Sequence, residues 1–179
     1  MTERSSSATY QLTKEKYLSD VEYQHLMSIL KRFMPTCRRD CLLIALAALT
    51  GARATEILNL EKQDFDTNEG SVFIRSVKGG KDREIPLADW LVRELRIYLT
   101  DKDGRIFGIT YQRFQKIWCN YRPAKKKLHS LRHTFAIRLY AKTKDLRLVQ
   151  YTLGHRSISN TLIYAEYHYT QSELRKFLI

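Results

Sequence analysis

Residues 129 to 135 read HSLRHTF, which places His129, Arg132 and His133 within five positions of a strongly basic chain. On a helix, residues three apart share a face, so His129 and Arg132 can point at a common target. A histidine and an arginine converging on one spot suit an anion, above all a phosphate, because the guanidinium presents a planar fork of donors. Three further clusters hold residues of related chemistry. Arg53 lies in TGARATEIL, Lys78 in VKGGKDR, and His155 and Tyr164 lie together in LGHRSISNTLIY. Each has an ordinary reading when taken alone. Arg53 can be a surface helix residue and Lys78 a turn lysine. His155 can be a histidine at a helix C-terminus, where the dipole favours it. Tyr164 is one of 11 tyrosines.

These clusters are far apart in sequence, so folded elements must gather them. Residues 1 to 14 are polar and Ser-rich and read as a flexible arm. LSDVEY at 18 to 23 then starts a helix, with Ser19 as N-cap, Glu22 completing a capping box and Leu18 with Tyr23 as a staple. Leu26, Ile29, Leu30 and Phe33 follow at helical spacing, and Pro35 ends the run. A second helix over about 37 to 50 is nearly all apolar and should be buried. It stops at Gly51, and a third, shorter helix begins within TGARATEILNL. GSVFIRSVKGGKDREIPL at 70 to 87 reads as a β-hairpin with Lys78 and Lys81 near its turn. Helical periodicity returns over 87 to 99 and 110 to 121, and a basic loop, RPAKKK, leads into the HSLRHTF motif. Helices are predicted over about 129 to 142 and 145 to 153, with Gly154 as C-cap, and a further helical segment over 158 to 166. A tail helix is predicted over about 171 to 178. Thr170 and Glu173 have capping-box spacing, and Leu174, Phe177 and Leu178 share a face. The predicted fold class is α+β, mainly α-helical with a small antiparallel hairpin sheet. The predicted organisation is the arm followed by one domain over 15 to 179.

The 179 residues suffice for one sizeable core but not for two full domains. Lys and Arg number 31 against 19 Asp and Glu, a formal net charge of +12. That excess suits a polyanion, because neutralising phosphates releases counterions. An anionic membrane surface is the competing partner, but the basic residues form no long amphipathic helix, so nucleic acid is favoured. The longest apolar run, CLLIALAAL at 41 to 49, is too short to cross a bilayer, and the N-terminus has no apolar signal core. Cys37, Cys41 and Cys119 cannot all pair and show no metal-binding spacing. Cys37 and Cys41, four apart, read as core thiols, and the whole as a reduced cytoplasmic protein.

As a set, the clusters resemble the boxes of the tyrosine recombinases, the phage integrase family, over about residues 16 to 167. The order Arg, Lys, His-x-x-Arg, His, Tyr is that family's order. TGARATEILNL resembles its first arginine box, KGGKDREIPL its lysine hairpin, and HSLRHTFA and LGHRSISNTLIY its later boxes. The resemblance implies that Tyr164, nine residues after His155, attacks a DNA phosphorus to form a 3′-phosphotyrosyl link and release a 5′-hydroxyl. Arg53 and Arg132 would stabilise charge on the non-bridging oxygens, with His155 as a third donor. A phenol of pKa about 10 needs activation. His129 is the candidate general base, and Lys78 the candidate acid for the leaving oxygen, its pKa lowered by neighbouring arginines. Lys81 is the alternative acid, while Tyr167 and Tyr169 lie near Tyr164 and only the spacing from His155 separates them. Glu56 is expected to orient the site and His133 to support its helix from within, without a direct chemical role. Lys81, Arg83, Lys125, Lys126 and Lys127 are expected to contact DNA.

The covalent link conserves bond energy, so neither a cofactor nor a metal is expected. The partners implied are double-stranded DNA and either further copies, as a tetramer, or a partner recombinase, with no membrane. Many relatives carry an N-terminal DNA-clamping domain. The chain is therefore expected to be a naturally short form or a fragment of a longer one, of bacterial, archaeal or mobile-element origin and associated with the nucleoid. The alternatives are a type IB topoisomerase and an accessory protein of the same fold that acts on other recombinases.

Overall fold

The computed structural model of the chain describes residues 12–77, 79–165, 175 and 178. Most of the N-terminal arm, the predicted tail helix, Lys78, Tyr167 and Tyr169 lie outside the described residues. Helix α1 (Asp20–Phe33) starts with the expected capping box. Ser19 Oγ accepts from the Glu22 N–H at 3.3 Å, and the Glu22 carboxylate accepts from the Ser19 N–H at 2.7 Å. Its buried residues Tyr23, Leu26 and Leu30 pack on α2 (Arg38–Thr50). Helix α2 is buried from Cys41 through Ala48 and again at Thr50, as an all-apolar helix at the centre of a domain must be. Cys37, expected in the core, is exposed instead, because it precedes the helix and never joins its inward stripe. Gly51 adopts the left-handed conformation, φ 64, and ends α2. The short α3 (Ala54–Leu58) follows.

Strands β1 (Phe65–Asp66), β2 (Ser71–Ile74) and β3 (Arg83–Pro86) form one antiparallel sheet in that order. The hairpin of β2 and β3 is the predicted one, in a register that sets Ser71 opposite Pro86 and Ile74 opposite Arg83. Strand β1 was not predicted, since two residues are too few to show an alternating pattern. Helices α4 (Asp89–Leu99), α5 (Tyr111–Tyr121), α6 (Ser130–Thr143), α7 (Leu146–Leu153) and α8 (Ser159–Leu162) complete the described elements. Thr110 caps α5, accepting from the Arg113 N–H, and Asp145 caps α7, accepting from the N–H groups of Arg147 and Leu148. Gly154 closes α7 in the left-handed conformation, φ 66. Among the described residues, no helix is long and apolar enough to cross a membrane.

Two apolar cores result. The main one joins α1, α2, the sheet, α4 and α5 through residues such as Leu26, Leu43, Val72, Leu91, Phe114 and Trp118. The second consists of Tyr17, Ala136, Ile137, Val149, Leu153 and Tyr164, between α6, α7 and the segment after α8. The candidate site lies where these two cores meet.

Candidate active site

The turn after α2 brings the first box against the other two. The Gly51 carbonyl accepts from the Arg132 guanidinium at 2.6 Å, and the same guanidinium donates to Leu153 O at 2.8 Å and meets His155 Nε2 at 2.9 Å. A guanidinium offers donors only, so His155 Nε2 accepts. The ring proton of His155 therefore sits on Nδ1, which donates to Thr161 Oγ1 at 3.0 Å. Burial, and then the charges of Arg132 and Arg53, hold the His155 imidazole down to about 4. Burial first and Arg53 second lower Arg132 to about 10, which leaves it cationic at neutral pH. His155, expected as a third donor, is thus an acceptor in this arrangement. Its Nε2 can serve a phosphate only after Arg132 releases it.

Arg53 precedes α3, and Glu56, three residues on, turns its carboxylate back to it. Glu56 accepts from the Arg53 backbone N–H at 2.8 Å and from the Arg53 guanidinium at 2.9 Å. It also accepts from the Arg83 guanidinium at 2.8 Å. Burial alone would push the Glu56 carboxyl up. The hydrogen bond and charge of Arg83, with those from Arg53, outweigh it and hold the group below its ordinary value. Glu56 therefore stays ionised although its side chain is fully buried.

Arg53, Thr55, Tyr111, His129 and Arg132 line one open pocket of about 490 Å³. Desolvation and the charges of Arg132 and Arg53 lower the His129 pKa, so the imidazole is neutral at neutral pH and can take a proton. The His133 ring stands edge-on to His129, with centroids 4.7 Å apart. His133 Nδ1 lies 3.0 Å from the Tyr164 hydroxyl. Sequence reasoning gave His133 no chemical partner, whereas the structure pairs it with the candidate nucleophile. Burial, and then the charge of His129 and Arg132, push His133 down to about 3, so its imidazole is neutral. Tyr164 is only 2% exposed and lies within the second core.

The expected DNA-contacting residues divide. Lys81, Lys125 and Lys127 are exposed. Arg83 is not at the surface, since its side chain is fully buried. It donates from Nε to Thr152 O at 2.7 Å and from its other end to Glu56. The cause is strand periodicity, which puts Arg83 on the same face as the buried Ile85. Lys126 also turns inward, because its ammonium satisfies groups that precede or start α1. It donates to Lys14 O at 3.2 Å, Tyr17 O at 2.5 Å and Glu22 at 2.6 Å. Sequence reasoning missed Thr161, the partner of His155. It also missed an open groove of about 960 Å³ bordered by Gln112, Arg113, Gln115, Lys116 and Asn120 of α5 together with Lys127. The polar side of the α5 period was the available signal for that groove.

The sequence profile of the phage integrase family matches residues 16–171. Tyrosine recombinase XerA of Thermococcus kodakarensis is 32% identical over 176 residues, which cover 90% of this chain and 61% of that protein. The crystal structure of XerA recombinase superposes with a TM-score of 0.71 at 29% identity, covering 94% of this chain and 65% of that one. The XerH site-specific recombinase bound to its difH substrate, in a pre-cleavage complex, gives a TM-score of 0.70 at 27% identity, covering 96% of this chain and 57% of that one. The chain spans about three-fifths of the length of the curated relatives it matches.

Proposed function

Because the chain belongs to the phage integrase family, we propose that it is a site-specific recombinase that cuts and rejoins double-stranded DNA through a 3′-phosphotyrosyl intermediate. The observation that carries this reading is the shared pocket of Arg53, His129 and Arg132, gathered from the starts of α3 and α6. Two fixed cations and a neutral imidazole around one cavity suit an anionic phosphodiester that gains charge during attack.

In the proposed cleavage step the Tyr164 oxygen forms a bond to phosphorus as the bond from phosphorus to the 5′-oxygen breaks. The phenolic proton passes to His129, and the leaving oxygen takes a proton from Lys78. Arg53 and Arg132 hold the non-bridging oxygens, and Glu56 fixes Arg53. Religation reverses each transfer, so the pair of proton carriers is restored. Tyr164 must first leave His133, since a hydroxyl buried in an apolar cluster cannot reach a phosphate.

Lys81, Lys125 and Lys127 supply phosphate contacts, while the glutamine, arginine and asparagine side chains of α5 have the donor and acceptor patterns that read base edges. The catalytic domain is proposed to run over residues 15 to 179, to work in the cytoplasm on nucleoid DNA, and to assemble there as a tetramer or with a partner recombinase. A nicked suicide substrate carrying candidate sites should trap a covalent protein–DNA adduct at Tyr164. Relaxation of supercoiled plasmid lacking any such site would point instead to a topoisomerase, and DNA binding without an adduct to an accessory protein.

A further inference from the structure

The loop joining β2 to β3 is fastened where it enters β3 as well as at its tip. Where the loop enters β3, Arg83 is buried and reaches Glu56 in α3 and the Thr152 carbonyl at the end of α7. At the tip, the Lys81 N–H donates to Gly154 O at 3.0 Å, and the Asp82 carboxylate accepts from the Ser76 N–H at 2.8 Å across the loop. The backbones there are in contact. A Cβ built at Gly80 would lie 2.6 Å from Gly154 O, and one built at Gly154 would lie 2.6 Å from Lys81 O. Gly80 and Lys81 are thereby held against Gly154, in the turn that leads to His155.

Arg83 is a poor choice for stability alone. One of its terminal nitrogens, Nη1, is buried without a hydrogen-bond partner among the described residues. A buried charge with an orphaned donor is costly, and an apolar side chain of similar volume would often do as well. What an apolar residue cannot do is hold Glu56 and the Thr152 carbonyl at once. Glu56 in turn holds Arg53, so one carboxylate fixes both the phosphate-binding arginine and the loop end of the hairpin.

We propose that Arg83 is a positioning residue for proton delivery to the leaving 5′-oxygen. By anchoring the hairpin to Glu56 and Thr152, it sets where the Lys78 loop stands over the scissile phosphate. The inference rests on the reading of Lys78 as the general acid, and it assigns Arg83 no contact with DNA.

The test compares cleavage of two suicide substrates, one ordinary and one with sulfur replacing the bridging 5′-oxygen. A thiolate leaves without a proton, so loss of the acid slows the ordinary substrate alone. Three variants are measured in the full chain beside Lys78→Ala. Arg83→Lys keeps the charge facing Glu56 but cannot also hold Thr152, and Arg83→Met removes both ties. Gly80→Ala pushes the loop off Gly154 without touching any buried charge, so it remains informative even where an Arg83 variant melts early. All three should slow the ordinary substrate by tenfold or more and the sulfur substrate by less than about threefold, the pattern also expected of Lys78→Ala. Equal slowing on both substrates by the Arg83 variants, with Lys78→Ala still rescued by sulfur, overturns the inference alone and assigns Arg83 to the arginine cradle or the fold. Failure of sulfur to rescue Lys78→Ala overturns the acid assignment, and the inference with it.

Discussion

Around Glu56 the chain holds two ion pairs, a fully buried one with Arg83 and a partly exposed one with Arg53, whereas Tyr164 shares a hydrogen bond with His133 and lies in an apolar cluster of six buried residues. The two regions differ in what motion costs. Removing one partner from a buried ion pair leaves an uncompensated charge, at about 3–5 kcal/mol. Exchanging a neutral hydrogen bond for water costs only about 0.5–1.5 kcal/mol net. A phosphate cradle works best when its donors are already in place. A nucleophile that must travel to its target works best when its resting place is shallow. The arginine side is therefore built to stay and the tyrosine side to leave.

The largest effect expected is on chemistry. Tyr164→Phe should keep the fold and DNA binding and yield no covalent adduct on a nicked substrate. Loss of the hydrogen bond to His133 should lower its stability by about 0.5–1.5 kcal/mol. An adduct that persists and maps to Tyr167 or Tyr169 would break the assignment of the mobile side. Next, Glu56→Ala leaves Arg83 with no carboxylate beside it. It should cost about 3–5 kcal/mol, which for a chain of this size lowers the melting temperature by roughly ten degrees. A loss no larger than that of Tyr164→Phe would erase the contrast between the two regions.

Acid should probe both sides with a smaller effect. In the unfolded chain a histidine binds its proton at about pH 6.5, but in the fold His155 does so only near 4 and His133 near 3. Between those values the unfolded state carries more protons, so stability falls as the pH drops from about 6.5 toward 4. Glu56, held below its ordinary value of 4.5, adds a further loss as the pH falls through that value, where the unfolded chain protonates this carboxyl while the fold keeps it ionised. Melting temperatures measured from pH 8 to 4 should show this decline, and His133→Phe should make it shallower. An unchanged slope in that variant would mean that His133 is not the neutral, buried group described.

The smallest effects concern the basic loop. Lys125→Ala with Lys127→Ala should reduce the slope of log affinity against log salt by about two and weaken all sequences alike. Lys126→Ala should leave that slope unchanged and lower stability, because its ammonium holds Lys14, Tyr17 and Glu22. A flatter salt slope for Lys126→Ala would return that residue to the DNA-facing set.

Local chemistry made much of this legible from sequence. The Ser19–Glu22 capping box, the apolar run of α2 and the Gly154 cap are each decided within a few residues, and each stands where it was expected. The gathering of Arg53, His129 and Arg132 followed from the order of the boxes. What stayed hidden depends on pairing across the fold. Arg83 sits two residues before Ile85 on a strand, so alternation hinted at burial, but only the packing of α3 and α7 supplies its partners. Lys126 lies in a row of three lysines without period, and nothing local distinguishes the one that turns inward. The His133–Tyr164 pair joins residues 31 apart, and no helical or strand period relates them.

The contact between Gly80 and Gly154 also bears on how such proteins can be recombined in the laboratory. Each glycine occupies space that the other segment's backbone needs, so neither can acquire a side chain while its neighbour stays in place. The loop at 75–82 and the turn at 152–156 therefore behave as one exchangeable part. A chimera that borrows the loop from a relative must borrow the turn with it, or the graft will arrive with its lysine at the wrong height.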